Sequence, residues 1–303
     1  MNQTTYPSPV SKLLTLGEAN YDGRDWLDYR GLGIGAEHVP DLLRMLTDET
    51  LILIEDERAP ELWAIVHAAR ALGQLRAEEA IEPLLTLLAR LSRDDLDEWT
   101  MDDYPPVFGL IGPAAIPALV AYMNDPAHSI YSRSTVADCL AKIGQNYPES
   151  RAECVAAITA QLARFTENDP ELNTYWISSL LDLKAIEALP LFEQAFEGGY
   201  VDEIIMGWYE VQEALRLFGY RDDLLAYSDK RREDSSLAGD LNVRTWERPW
   251  PVISRTSLAS ARVTSRQEPP PGKARSKAQA QVQKKAKRKQ AEKSRKMNRR
   301  KRK

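Results

Sequence analysis

One short phrase recurs along this chain, and its spacing constrains the fold more than any other feature. It reads Ala80-Ile81-Glu82-Pro83-Leu84-Leu85, then Ala115-Ile116-Pro117-Ala118-Leu119, then Ala185-Ile186-Glu187-Ala188-Leu189-Pro190-Leu191. A weaker copy is His38-Val39-Pro40-Asp41-Leu42-Leu43. With Val39, Ile81, Ile116 and Ile186 taken as equivalent, the steps are 42, 35 and 70 residues. The last step is twice 35, so a degenerate copy is expected in between, and residues 148–155 occupy that place. Five units at this period point to a solenoid of helical pairs. One pair cannot bury its apolar face alone and must stack on its neighbours.

Local patterns agree. Proline falls in the first turn of the first helix of each unit, where its missing N–H costs little. Gly73, Gly112 and Gly144 fall near the turns between helices, where a glycine can end a helix in the left-handed region. Residues 63–72 and 81–91 repeat apolar side chains at helical spacing. Leu51-Ile52-Leu53-Ile54 is the one strand-like run, and it reads equally well as a short helix or loop. Residues 105–123 carry no charge and approach membrane-spanning length. They also hold Pro105, Pro106, Gly109, Gly112, Pro113 and Pro117, too many breakers for a spanning helix. The segment is expected to end one helix, turn and start the next.

The N-terminal ten residues are polar and lack a signal-peptide core. Cys139 and Cys154 sit in patterns of buried helix faces, as small apolar residues, and a disulfide would need an oxidising compartment. The expected location is cytoplasmic, with no membrane contact.

Charge divides the chain. The net charge of −5 combines a body and a tail of opposite sign. Residues 273–303 hold 16 of the 40 Lys and Arg and a single acid, Glu292. Residues 1–272 therefore hold 24 basic and 44 acidic groups. The tail lacks apolar periodicity and is expected to be disordered alone. Residues 226–272 read as a partly ordered connector. Trp246 and Trp250 would pin it to the last repeat or serve as a short recognition motif, and a Pro-rich spacer follows. The repeat pattern fades after Phe218.

The recurring phrase resembles the HEAT repeat, including the short bacterial form first noted in phycobilin lyases, over roughly residues 35–215. Residues 129–212 are also similar to an uncharacterised family of bacterial HEAT-like proteins. That likeness rests on residues 133–144, on residues 173–187 and on Gly199-Tyr200-Val201-Asp202-Glu203. Some members end in a zinc-binding SEC-C module. This tail has neither cysteine nor histidine, so no zinc contact is carried over. The resemblance implies an all-α HEAT-like solenoid of about five helical pairs, here placed at residues 10–225. It implies little about activity, since such repeats serve scaffolds, adaptors and a few enzymes alike.

No catalytic, cofactor or metal signature is present. His38, His67 and His128 are scattered and read as structural or surface residues. Gly31, Gly33 and Gly35 are too closely spaced for a dinucleotide fingerprint. They are expected to make a turn before the first repeat. Residues 94–104 carry six carboxylates, but not at the spacing of a calcium loop, and read as a solvated connector. Aromatic residues fall mostly in the second helices, which tend to line the concave face of a solenoid. The candidates for protein contact are Trp63, Trp99, Tyr131, Asn173, Trp176, Trp208 and Tyr209. Asn173, Trp176 and Ser179 share one helical face.

The candidates for nucleic-acid contact are Lys284, Lys285, Lys287, Arg288, Lys289, Arg295, Lys296, Arg299, Arg300, Lys301, Arg302 and Lys303. Dense cations without aromatics suit a phosphate backbone and not base stacking. The expected function is a non-catalytic scaffold or adaptor that needs no cofactor. Its solenoid face would hold a protein partner and its tail would tether RNA or the ribosome. Two alternatives stand beside it. The tail regulates the acidic body from within, or the repeats carry a lyase-like or other enzyme.

Overall fold

A computed structural model describes residues 5–19, 26–54, 56, 58–91 and 98–219; the side chains of 91 and 98–101 are outside the description. The chain divides into two units, Met1–Gly239 and Asp240–Lys303, and the described residues all lie in the first. The connector 226–272, with Trp246 and Trp250, and the basic tail 273–303 lie outside the described residues.

Every regular element among the described residues is helical. Five helices begin with the recurring phrase: α1 (Val39–Leu46), α4 (Ile81–Leu91), α6 (Ile116–Asn124), α8 (Arg151–Leu162) and α10 (Leu189–Glu197). Between them come α2 (Glu49–Ile52), α3 (Ala64–Leu75), α5 (Glu98–Ile111), α7 (Ile130–Asn146), α9 (Pro170–Asp182) and α11 (Trp208–Leu217). The described residues form an all-α, HEAT-like solenoid of five units: α1 with α3, then α4–α5, α6–α7, α8–α9 and α10–α11. The run 51–54 belongs partly to the one-turn helix α2.

A one-turn 3-10 segment precedes each of the five phrase helices, and in four of them its last residue is buried: Ala80, Ala115, Ser150 and Ala188. These positions correct the register read from the sequence. The fifth copy starts at Leu189, so its equivalent of Ile116 is Leu189, not Ile186. The Ala-Ile-Glu of residues 185–187 is the approach turn, and Pro190 marks the helix start. Proline decides the register because only the first turn has no donor to lose.

The segment 105–123 turns as expected. Gly112 takes φ +94°, and the two helical stretches on either side are bent by 110°. No single helix among the described residues is long and apolar enough to cross a membrane. Two sequence readings change. The helix α5 starts at Glu98, so residues 98–104 are helical and not connector; residues 94–97 lie outside the described set. Asp103 and Tyr104 are buried, and the Tyr104 hydroxyl donates to the Leu84 carbonyl at 3.0 Å.

Gly73 and Gly144 do not end helices. They lie inside α3 and α7, and Arg76 instead takes the left-handed position after α3, at φ 55°. A Cβ at Gly73 would stand 3.2 Å from the Val107 Cα, and one at Gly144 would stand 2.6 Å from Leu183 Cδ2. Their role is close approach between stacked helices. The stacking is closest between α3 and α5, α5 and α7, and α7 and α9, whereas α4, α6 and α8 touch each other lightly.

Candidate functional site

Helices of one layer run parallel, because each is separated from the next by one antiparallel partner. Their N-terminal ends therefore share one edge, together with the connectors inside the units. Among the described residues those connectors, 47–54, 56, 58–63, 125–129, 163–169 and 198–207, carry nine Asp and Glu against two Arg. The turns between units, residues 76–80, 112–115, 147–150 and 183–188, carry four acids against two basic residues. One edge is thus long-looped and acidic, and the other is short-turned and near neutral.

The aromatic candidates gather at the acidic edge. Trp63 immediately precedes α3, Tyr131 is in the first turn of α7, and Trp208 and Tyr209 open α11. Trp63, Tyr131 and Trp208 are half-buried, and Tyr209 is 56% exposed. Trp208 meets Phe196 edge-on, with ring centroids 5.3 Å apart. Trp99 is in the first turn of α5, with its side chain outside the described set.

Asn173 and Trp176 are not surface anchors. Both are fully buried, as is Ser179, so the face they share points inward. Asn173 Nδ2 donates to the carbonyls of Phe165 at 3.0 Å and Tyr200 at 2.8 Å, holding two connectors to α9. The Trp176 ring lies under the Arg133 guanidinium at 5.2 Å. A buried amide must be hydrogen-bonded, and these internal carbonyls do that.

Their neighbours present the surface that they do not. Tyr175, on α9, lies 6.5 Å from Tyr131, centroid to centroid. Its hydroxyl donates to Glu171 Oε1 at 2.9 Å. Burial first, and then Glu171, pushes both phenols above their ordinary pKa, so both stay protonated. Asp169 caps α9 by accepting from the Glu171 amide at 2.8 Å, and Asp202 Oδ1 accepts from the Ile204 amide at 3.0 Å. None of these three carboxylates is ion-paired with a described cation. Ile204, beside them in sequence, is 95% exposed. The signal that would have found Tyr175 is its i, i+4 spacing from Glu171.

Elsewhere several polar groups are internal. Arg70 and Asp103 form a buried two-pronged pair, Nε to Oδ1 at 2.7 Å and Nη2 to Oδ2 at 3.1 Å. Burial pushes the Asp103 carboxyl up while Arg70 pulls it down. The hydroxyl of Ser179 donates to Asp138 at 2.7 Å, and burial raises that carboxyl to about 6. His67 is buried between the Tyr29 hydroxyl at 2.6 Å from Nδ1 and the Gly17 carbonyl at 3.0 Å from Nε2. A carbonyl only accepts, so Nε2 carries the proton and Nδ1 accepts from Tyr29. His128 stacks on Tyr122 at 3.6 Å. Both cysteines are buried free thiols, and burial pushes Cys154 up to about 11. Among the described residues, no group of three or more His, Cys, Asp and Glu is placed to hold a metal ion.

The family model of the PBS lyase HEAT-like repeat matches residues 66–90. The match covers most of α3, the left-handed turn at Arg76 and nearly all of α4. It frames the repeat from the aromatic-layer helix to the next phrase helix. No curated protein and no solved structure matches the chain. The repeat match and the helical stack together make this a HEAT-like repeat protein.

Proposed function

We propose that this is a non-catalytic interaction protein whose acidic edge holds a basic segment of a protein partner, while its tail contacts RNA or the ribosome. The observation that carries the reading is the Tyr131–Tyr175 pair, flanked by Asp169, Glu171 and Asp202, none of which is ion-paired with a described cation. Tyrosine faces and carboxylates together suit Lys and Arg side chains, through cation–π attraction and charge. The solenoid supplies a long rigid edge for such contacts at little ordering cost. The tail carries the opposite charge, in a form that suits phosphates without sequence preference.

The acidic edge also favours a second reading, in which the occupant is the chain's own basic tail and partners compete with it. One experiment separates the two. Full-length protein and residues 1–272 are titrated with labelled RNA and with a labelled Lys/Arg-rich peptide across a salt series. The adaptor reading expects RNA binding by the full chain alone, with log affinity falling linearly in log salt at about −0.7 per phosphate on single strands. It also expects equal peptide binding by both forms, lost on Tyr131→Ala/Tyr175→Ala. Stronger peptide binding by the truncated form supports internal cover by the tail. If the full chain does not bind RNA, the tether is wrong.

A further inference from the structure

The acidic edge carries an apolar turn that the fold does not use. Of the large apolar side chains exposed among the described residues, three stand within six positions: Ile204, Ile205 and Tyr209. Ile204 is 95% exposed, so its side chain adds almost no burial to the fold. Single exposed apolar residues need no explanation, but a cluster of them rimmed by polar groups marks a contact surface.

The turn is tied down on both sides. From α9, Asn173 donates to the Tyr200 carbonyl, and the Thr174 hydroxyl accepts from the Asp202 amide at 2.9 Å. Val201, between them, is buried. The Asp202 carboxylate accepts from the Ile204 amide, and the Asp202 carbonyl accepts from the Ile205 amide at 3.0 Å. The two isoleucines are thus presented on a hydrogen-bonded backbone. A surface ordered before its partner arrives binds at a lower entropic cost.

Charge decides what fits there. Asp202, Glu203 and Glu210 flank the apolar residues, and none of the three is ion-paired with a described cation. Glu203 and Glu210 are exposed. Asp202 also joins the turn to the tyrosine pair: after burial, Glu171 and Tyr131, its charge is a further cause of the raised Tyr175 pKa. An occupant must therefore bring cations and a large apolar side chain together. The basic tail 273–303 brings cations alone, since it holds no Leu, Ile, Phe, Tyr or Trp. An anionic lipid surface or a nucleic acid would be repelled by the carboxylates.

We propose that the acidic edge takes a basic amphipathic segment of a separate protein, with a Lys or Arg side chain against the Tyr131–Tyr175 pair and Asp202, and a large aliphatic or aromatic side chain against Ile204, Ile205 and Tyr209. The inference rests on the acidic-edge reading above and adds its apolar half. The carboxylates set the sign of the partner, and the isoleucines select among basic segments.

Two labelled peptides of equal length and charge test this on the full-length protein by fluorescence anisotropy. One alternates Lys with Ala, and the other carries Leu at two of the Ala positions. The Leu peptide is expected to bind at least about tenfold tighter. In full-length Ile204→Ser, a surface substitution that leaves the fold intact, that advantage is expected to shrink at least about threefold, with the Ala peptide unchanged. Equal affinity of the two peptides, or an advantage that Ile204→Ser leaves whole, overturns the proposal. If Tyr131→Ala/Tyr175→Ala then still weakens both peptides, the acidic-edge reading stands without its apolar half. Binding of neither peptide overturns both. A concentration-dependent dimer that Ile204→Ser dissociates would make a second copy the occupant and overturn the proposal. A tighter Leu peptide on Trp246→Ala/Trp250→Ala would make the chain's own connector the occupant, with the same consequence.

Discussion

The two ends of the solenoid differ among the described residues. At the N-terminal end, a segment that belongs to no repeat lies against α1 and α3. Its 3-10 turn Val10–Thr15 buries Val10 and Leu13, and Tyr29 and Ile34 follow them inside. Polar contacts fix it in place: the Tyr6 hydroxyl donates to Asp48 at 2.6 Å, Gln74 Nε2 donates to the Leu27 carbonyl at 2.9 Å, and Trp26 lies 4.9 Å from the Arg70 guanidinium. At the C-terminal end, α11 buries Val211 and Leu215 but leaves Leu217 and Phe218 in the open among the described residues. A stack ends in apolar surface unless something outside the repeat covers it. The N-terminal cover is a separate, hydrogen-bonded segment, whereas α11, the last described helix, leaves two large apolar side chains exposed.

The sharpest way to break this comparison is at the Arg70–Asp103 pair, which ties α3 to α5 just below the N-terminal cover. Arg70→Ala leaves a buried carboxylate unpaired and is expected to cost about 3–5 kcal/mol in denaturant unfolding. Replacing both residues with apolar ones should recover most of that. Next is Gly73→Val, expected to cost about 1–3 kcal/mol, since the Val107 backbone cannot retreat as a side chain would.

A smaller effect separates the ends by pH. Burial, its largest cause, holds the His67 imidazole below its ordinary 6.5. The unfolded chain therefore binds the proton more readily. The stability tied to His67 is fully present above about pH 6.5 and is lost as pH falls through the lower, folded value, at up to about 1.4 kcal/mol per pH unit. Asp138, in the middle of the stack, acts in the opposite sense. Its folded value near 6 exceeds 3.8, so protonation between pH 6 and 4 favours the fold. Amide exchange at pH 5.5 and 7.5 should show residues 10–15 loosening in acid, and His67→Gln should abolish that change. The smallest expected effect is Arg76→Gly. Glycine relieves a left-handed residue but removes a cation from a helix C-terminus, so the net change should stay within about 1 kcal/mol by thermal unfolding.

Much of the architecture was legible because it depends on local rules. The prolines at 40, 117 and 190 mark first turns in the structure, as their missing donor requires. Of the breakers at 105–117, Gly112 and Pro113 mark the bend, whereas Pro105 and Pro106 lie inside α5. The fifth copy was misplaced by three residues because Ala-Ile-Glu occurs in both an approach turn and a helix start. The site was less legible. Tyr131 was readable as an aromatic at a helix start, but its partners Tyr175 and Glu171 are set by how α7 meets α9.

By itself the sequence determined the repeat, its approximate period, the turn at Gly112 and the division of charge along the chain, since each rests on residues close together in the chain. Only the tertiary structure decided which aromatic side chains face out. From Ala64 to Gly73 every residue of α3 is buried, so that helix carries no polar stripe from which to read a direction. On α9, the same packing between neighbours took Asn173 and Trp176 inside and left Tyr175 half-exposed beside Tyr131. The choice was made by the connectors around Phe165 and Tyr200 and by α7, and its one local trace is the i, i+4 spacing of Glu171 and Tyr175.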